Sequence, residues 1–212
     1  GHLVGAEDHS QLVGIGKTDV ALDVLAKRGD WDRLWETATK EHVPPAAIAK
    51  FVLMRVDELV RTGRVDDLNE AVKTIHQRPG PATEVAMKVY KRLVRSVMSR
   101  TFDDERTKGG DTSEHTDLVC KLREVLYRLA NQYRSNATGK QLGPEMEELL
   151  MATHYQHLLY HTKTLGLKDI AAKCSITLLK YPDVIPQDKA FYQAGITCRD
   201  QGNTNLAFML LN

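Results

Sequence analysis

The chain has 212 residues, 29 basic and 28 acidic, a formal net charge of +1 and 42% hydrophobic content. This is enough for one large domain or an array of small units with a core, and it excludes global disorder. The balanced charge speaks against a dedicated nucleic-acid binder, no apolar run is long enough to span a bilayer, and Cys120, Cys174 and Cys198 have neither metal spacing nor the even count of a disulfide framework.

Gly1-His2 reads as a cloning scar, and no secretory signal is visible. Residues 1–17 are expected to form an N-terminal flank, which closes on Gly16-Lys17 just before Thr18. Those three residues match the end of a phosphate-binding loop, which needs Gly-x-x-x-x-Gly-Lys-[Ser/Thr] after a strand. Here Gln11 occupies the leading position and GAEDHSQ, not a β-branched run, precedes it, so no nucleotide role is expected for Lys17. A helix is predicted to start at Thr18 or Asp19, both good caps, and to run to Arg28. Gly29-Asp30 then separates it from a second helix over 31–42. Ala21, Leu22, Val24 and Leu25 supply one side of this pair, and Trp31, Leu34, Trp35 and Ala38 the other. The two tryptophans, four residues apart, are expected to pack within the pair.

Pro44-Pro45 starts the next predicted helix, 45–62, with Ile48, Val52, Val56 and Leu59 on one face. Gly63 separates it from a helix over 65–77, and Pro79-Gly80-Pro81 is a strong stop. Over 83–101, Ala86, Val89, Tyr90, Leu93 and Val97 share a face, and Lys88, Lys91, Arg92 and Arg95 lie opposite. This basic stripe is the candidate partner-binding surface, suited to an acidic protein or to anionic lipid headgroups; the plainer alternative is a solvated helix back. Thr101 to Thr116, polar and containing Gly109-Gly110, reads as a mobile loop.

From Asp117 to Tyr133 the period is clearest: Leu118, Leu122, Val125, Leu129 and Tyr133, widened by Val119, Leu126 and Ala130. A helix over 145–165 follows, with Met146, Leu150 and Thr153 on one stripe. His154, His157 and His161 occupy adjacent turns of it, but no cysteine joins them in sequence, so histidines between packed helices are expected rather than a metal site. Helices over 167–181, 186–201 and 204–212 complete the series around Gly166 and Gly202. In the penultimate one Phe191 and Tyr192 are expected to pack between helices, where Ala194 and Gly195 permit close approach. The last, rich in apolar residues, lacks the polar face a terminal repeat needs and is expected to be covered in a longer chain.

No alternating strand is found. The expectation is therefore all-α: about ten helices over 18–212, in five antiparallel pairs stacked as a tetratricopeptide-like superhelical solenoid. No Gly-x-Ser-x-Gly elbow or comparable signature occurs, so no catalytic, cofactor or metal residue is assigned.

The last third carries a more specific signal. Ser175 to Leu179, Ile185 to Gly195 (IPQDKAFYQAG) and Asn205 to Asn212 (NLAFMLLN) resemble the late helical region of the intraflagellar transport protein 172 family. LREVLYRLANQY at 122–133, ELLMATHY at 148–155 and ALDVLAKRGDWDRLWETATK at 21–40 are similar to it as well. The resemblance implies a late piece of a long tetratricopeptide-like tail, without the β-propellers or the C-terminal domain of that family. It implies a non-enzymatic scaffold of the peripheral part of complex B, in trains that carry cargo for cilium assembly. Partners would be other complex B subunits, and complex A in assembled trains. The implied location is the cilium or flagellum, including its base and tip, with a cytoplasmic pool. The alternative is a tetratricopeptide-like or coatomer-like scaffold of another membrane-trafficking assembly.

Overall fold

Three glycines end helices in the same way. Gly29, Gly166 and Gly202 have φ of +71°, +71° and +97°. Each donates its N–H to the carbonyl three residues back, to Ala26, Lys163 and Arg199, at 3.0, 3.0 and 2.9 Å. The following residue donates five back: Asp30 to Leu25 at 3.0 Å, Leu167 to Thr162 at 2.9 Å, Asn203 to Cys198 at 2.9 Å. This double closure satisfies the last carbonyls of the helix and needs a left-handed residue, which glycine adopts without a Cβ clash. Asp30, Leu167 and Asn203 then share one backbone conformation, φ −86°, −83° and −84° with ψ 69°, 71° and 76°, and the next helix begins at once. A short turn repeated three times thus reverses the chain three times.

The computed structural model describes residues 4–62, 64, 82–108, 113–135 and 143–212. Among them the helices are α1 (Val4–Arg28), α2 (Trp31–Lys40), α3 (Pro45–Thr62), α4 (Ala82–Lys108), α5 (Ser113–Ser135), α6 (Gly143–Thr164), α7 (Lys168–Leu178), α8 (Gln187–Gln201) and α9 (Thr204–Leu211). No strand occurs among the described residues. Among the described helices, α1 packs on α2, α3 on α4, and α5 through α9 in succession. Side-chain contacts fix opposed directions. Arg134 at the end of α5 meets Glu147 at the start of α6, while Arg123 of α5 reaches His157 of α6. Gln201 at the end of α8 donates to Asp169 at the start of α7. The fold is an all-α, solenoid-like array of antiparallel helices.

One continuous core runs from Leu22 to Ala190, with a small cluster of Ala172, Cys198 and Ala207 beyond it. The expected stripes are buried: Ile48, Val52, Val56 and Leu59 in α3; Val89, Tyr90, Leu93 and Val97 in α4; Leu118, Leu122, Val125 and Leu129 in α5. Met87, Val94 and Met98 widen the α4 band, because that helix touches α3, α5 and α6. The predicted helix over 65–77 lies outside the described residues, as do the side chains of Ala86 and Tyr133.

Several expectations are corrected. The first helix starts at Val4, so Thr18 and Asp19 are interior positions and not caps, and residues 4–17 are helical. No proline interrupts that stretch, and glycine weakens a helix without terminating it. The loop expected over 101–116 is helical at both ends: α4 continues to Lys108 and α5 begins at Ser113. Buried Thr101 and Phe102 anchor the extension, and the charged residues that follow are compatible with helix. In α1, Ala21 and Val24 face solvent, leaving Leu22, Leu25 and Ala26 to meet the core. Phe191 and Tyr192 also point outward, 44% and 53% exposed. The face of α8 that packs is lined by smaller side chains, Ala190, Ala194, Gly195, Thr197 and Cys198, with Gln193. Close approach there is real: a Cβ on Gly195 would lie 2.5 Å from Leu211 Cγ. No helix among the described residues is long and apolar enough to cross a membrane.

Candidate functional site

The phosphate-loop remnant can be settled from its backbone. Gly16, Lys17 and Thr18 lie inside α1, where main-chain N–H groups point along the helix axis to carbonyls and do not wrap an anion.

The basic stripe is not a free cationic surface. Lys91 Nζ lies 2.7 Å from Glu145 Oε2 of α6, and Arg92 Nη2 lies 3.3 Å from Asp57 Oδ2 of α3. Arg95 donates from Nε and Nη2 to the Asp183 carbonyl in the turn between α7 and α8, at 3.0 and 2.5 Å. Ser96 adds a 2.9 Å hydrogen bond to Asp57. Three of the four cations therefore tie α4 to its surroundings, while Lys88 is exposed. These acidic partners stand far away in sequence, so one helix face gave no sign of them.

The tryptophans do stack, centroids 5.9 Å apart and planes 27° apart. Trp31 reaches further: its Nε1–H donates to Glu58 Oε2 at 2.7 Å, and the Arg55 guanidinium lies 5.4 Å from its ring centre. Arg55 also pairs with Glu58 at 3.0 Å. The indole thus locks the first helix pair onto α3, a structural duty that accounts for its burial.

The histidines of α6 sit where α5 crosses. Arg123 Nη1 is 3.0 Å from His157 Nδ1, and Arg123 Nη2 is 3.6 Å from Cys120 Sγ. A guanidinium can only donate, so Nδ1 of His157 accepts and its ring proton resides on Nε2. His157 stacks on His161 with centroids 6.0 Å apart. Burial, and then the Arg123 charge, hold His154 and His157 below the ordinary histidine value of 6.5. Both imidazoles are accordingly neutral at physiological pH. No set of three metal-binding side chains converges among the described residues.

Beside these histidines lies a cleft of about 480 Å³, open to solvent along the seam of α5 and α6. Arg123, Tyr127 and Arg128 come from α5; Leu150, Met151 and His154 come from α6. Glu124 completes the wall. Tyr127 is 56% exposed and Arg128 is exposed. None of the α5 members was singled out from the sequence. The signal was present: Tyr127 is an aromatic on the polar side of the helix that buries Leu122 and Leu126.

The whole length of the chain can be matched to known proteins. The intraflagellar transport protein 172 homolog of Danio rerio is 30% identical over 214 residues, covering 100% of this chain and 12% of that protein. The chain is homologous to one segment of intraflagellar transport protein 172. The Homo sapiens homolog is 30% identical over 207 residues, covering 95% of the chain and 11% of that protein. The Chlamydomonas reinhardtii protein is 27% identical over 196 residues, covering 91% and 10%. The chain therefore spans about a tenth of the length of the curated relatives it matches. No family model matches it, and no solved structure does.

Proposed function

We propose that this chain is a non-enzymatic adaptor segment of the intraflagellar transport machinery, acting through protein contacts along its helical array. The observation that carries the reading is similarity over the full chain to intraflagellar transport protein 172 of vertebrates and of an alga. Its place is the peripheral part of complex B, with complex A as a neighbour in assembled trains and the cilium, its base and its tip as the working location. An open surface between stacked helices suits that role, because such arrays present several faces to several partners at once. Of the basic stripe, Lys88 is the position proposed for partner contact.

The test is capture from ciliated-cell extract on the purified chain, read by quantitative mass spectrometry. Enrichment of complex B subunits is expected. Recovery of coat or other trafficking subunits instead would transfer the chain to a different assembly, and recovery of no ciliary protein would remove the reading.

A further inference from the structure

We propose that the cleft between α5 and α6 is a docking groove for a short acidic, leucine-rich segment of a partner protein. The inference rests on the adaptor reading and names the chemistry of one of its contacts.

Part of the groove lining is apolar. Leu150 and Met151 lie half-buried on α6, and the exposed ring of Tyr127 stands on the facing helix. A tyrosine so placed offers a large rigid contact area with a polar tip, the anchor type that protein interfaces favour. Methionine adds a flexible thioether that moulds to different apolar side chains.

Another part of the lining is cationic. Arg128 is exposed, and none of the ion pairs among the described residues involves it. Arg123 is already oriented: His157 Nδ1 accepts from one of its nitrogens and Cys120 Sγ lies near the other. A guanidinium held in place loses less side-chain freedom when it binds a carboxylate. His154 stands at the same wall as a neutral imidazole, able to offer one hydrogen-bond donor or acceptor. Against these groups the lining sets one carboxylate, Glu124. An incoming segment that places leucines against Leu150, Met151 and Tyr127 and glutamates or aspartates at the arginines would match both features. A nucleic-acid strand matches neither, since it needs a continuous cationic track and this chain carries a net charge of only +1.

The probe is a fluorescein-labelled synthetic peptide with leucine and glutamate at helical spacing, compared with a twin bearing glutamine for every glutamate. Fluorescence anisotropy follows binding to the purified chain. The acidic peptide should bind roughly ten-fold or more tightly than its twin, and weaken as salt is raised. Arg128→Glu and Tyr127→Ser should each weaken it by roughly ten-fold or more. Both positions are exposed, so circular dichroism should stay unchanged and show that the variants are folded. Failure of the acidic peptide to bind, equal binding of the glutamine twin, or wild-type affinity in both folded variants would overturn the groove. Capture from ciliated-cell extract separates this from the adaptor reading. If wild type and Arg128→Glu recover the same transport subunits in equal amount, the groove fails and the adaptor reading stands. If wild type recovers no ciliary protein but the peptide binds as expected, the adaptor reading fails and the groove stands.

Discussion

His42 has a φ of 51° and does the work that glycine does at three other turns. Its N–H donates to the Thr39 carbonyl at 3.2 Å, and the N–H of Val43 to that of Ala38 at 3.0 Å, the same double closure that ends α1, α6 and α8. A side chain in this conformation brings Cβ against the neighbouring carbonyl, at a cost of about 1–2 kcal/mol. Glycine relieves the clash but adds freedom to the unfolded chain, which returns part of the gain. His42→Gly should therefore stabilise the fold by about 0.5–1 kcal/mol, read as an upward shift of the urea midpoint at constant slope. A downward shift would mean that the exposed imidazole makes a contribution larger than the strain. This strained turn was hard to see in Glu41-His42-Val43, where no glycine or asparagine marks it. At 29, 166 and 202 the glycine itself marks the turn in the sequence, and each adopts the left-handed conformation.

At the scale of helices, legibility followed how many sides are covered. α5 is an amphipathic helix with a polar outer face, so its phase could be read directly: Leu122 and Leu126 are fully buried and Arg128 is outside. Leu122→Ala should cost about 2–5 kcal/mol in chemical denaturation, since the side chain is fully buried and its truncation removes packed apolar surface and leaves a cavity. Lys91→Ala on α4 removes one exposed ion pair with Glu145 and should cost about half a kcal/mol or less. Equal shifts would show that the burial assigned to these two positions is wrong. α6 was less legible because α5 and α7 cover it from both sides and polar groups are inside: Thr153, Gln156 and Thr162 are buried with Leu149, Leu159 and Tyr160. Thr153 and Thr162 return their hydroxyl protons to carbonyls of Leu149 and Leu158, at 2.8 and 2.7 Å, which makes burial tolerable. The same helix predicts a pH response. His154 and His157 titrate below the ordinary value of 6.5, through burial first and the Arg123 charge second. Below 6.5 the unfolded chain binds protons that the fold resists binding, so stability is complete above that value and falls as pH drops through the depressed values. The thermal midpoint should decline on acidification past 6.5, and replacing both histidines with glutamine should flatten that decline. A profile equally steep in the double variant would assign the acid sensitivity to other groups.

Across the whole molecule, the least legible feature was what crosses between elements. A sequence displays one helix face at a time; it does not display that Asp57, Glu145 and the Asp183 carbonyl all converge on α4. The stripe of Lys88, Lys91, Arg92 and Arg95 looked like a surface waiting for a partner, but most of it fastens α4 to α3, α6 and the turn before α8. In a simple solenoid each repeat touches only its neighbours. Here Arg95 holds a carbonyl 88 residues further along the chain, so α4 acts as a spine. This changes what a charge reversal would report. Turning Lys91 and Arg92 to glutamate sets like charges against Glu145 and Asp57, so lost partner capture in such a variant would mix instability with binding. The clean experiment is a charge swap. Lys91→Glu and Glu145→Lys should each lower stability, while the double exchange restores most of it, with a coupling of about 0.5–1 kcal/mol. Arg92→Glu with Asp57→Arg should behave alike. High salt should shrink both couplings, because both pairs are substantially exposed and mobile ions screen them. Additive losses in both cycles would mean that these two pairs do not hold the array together, and Lys91 and Arg92 would again be available for partners, with Arg95 still held by the Asp183 carbonyl.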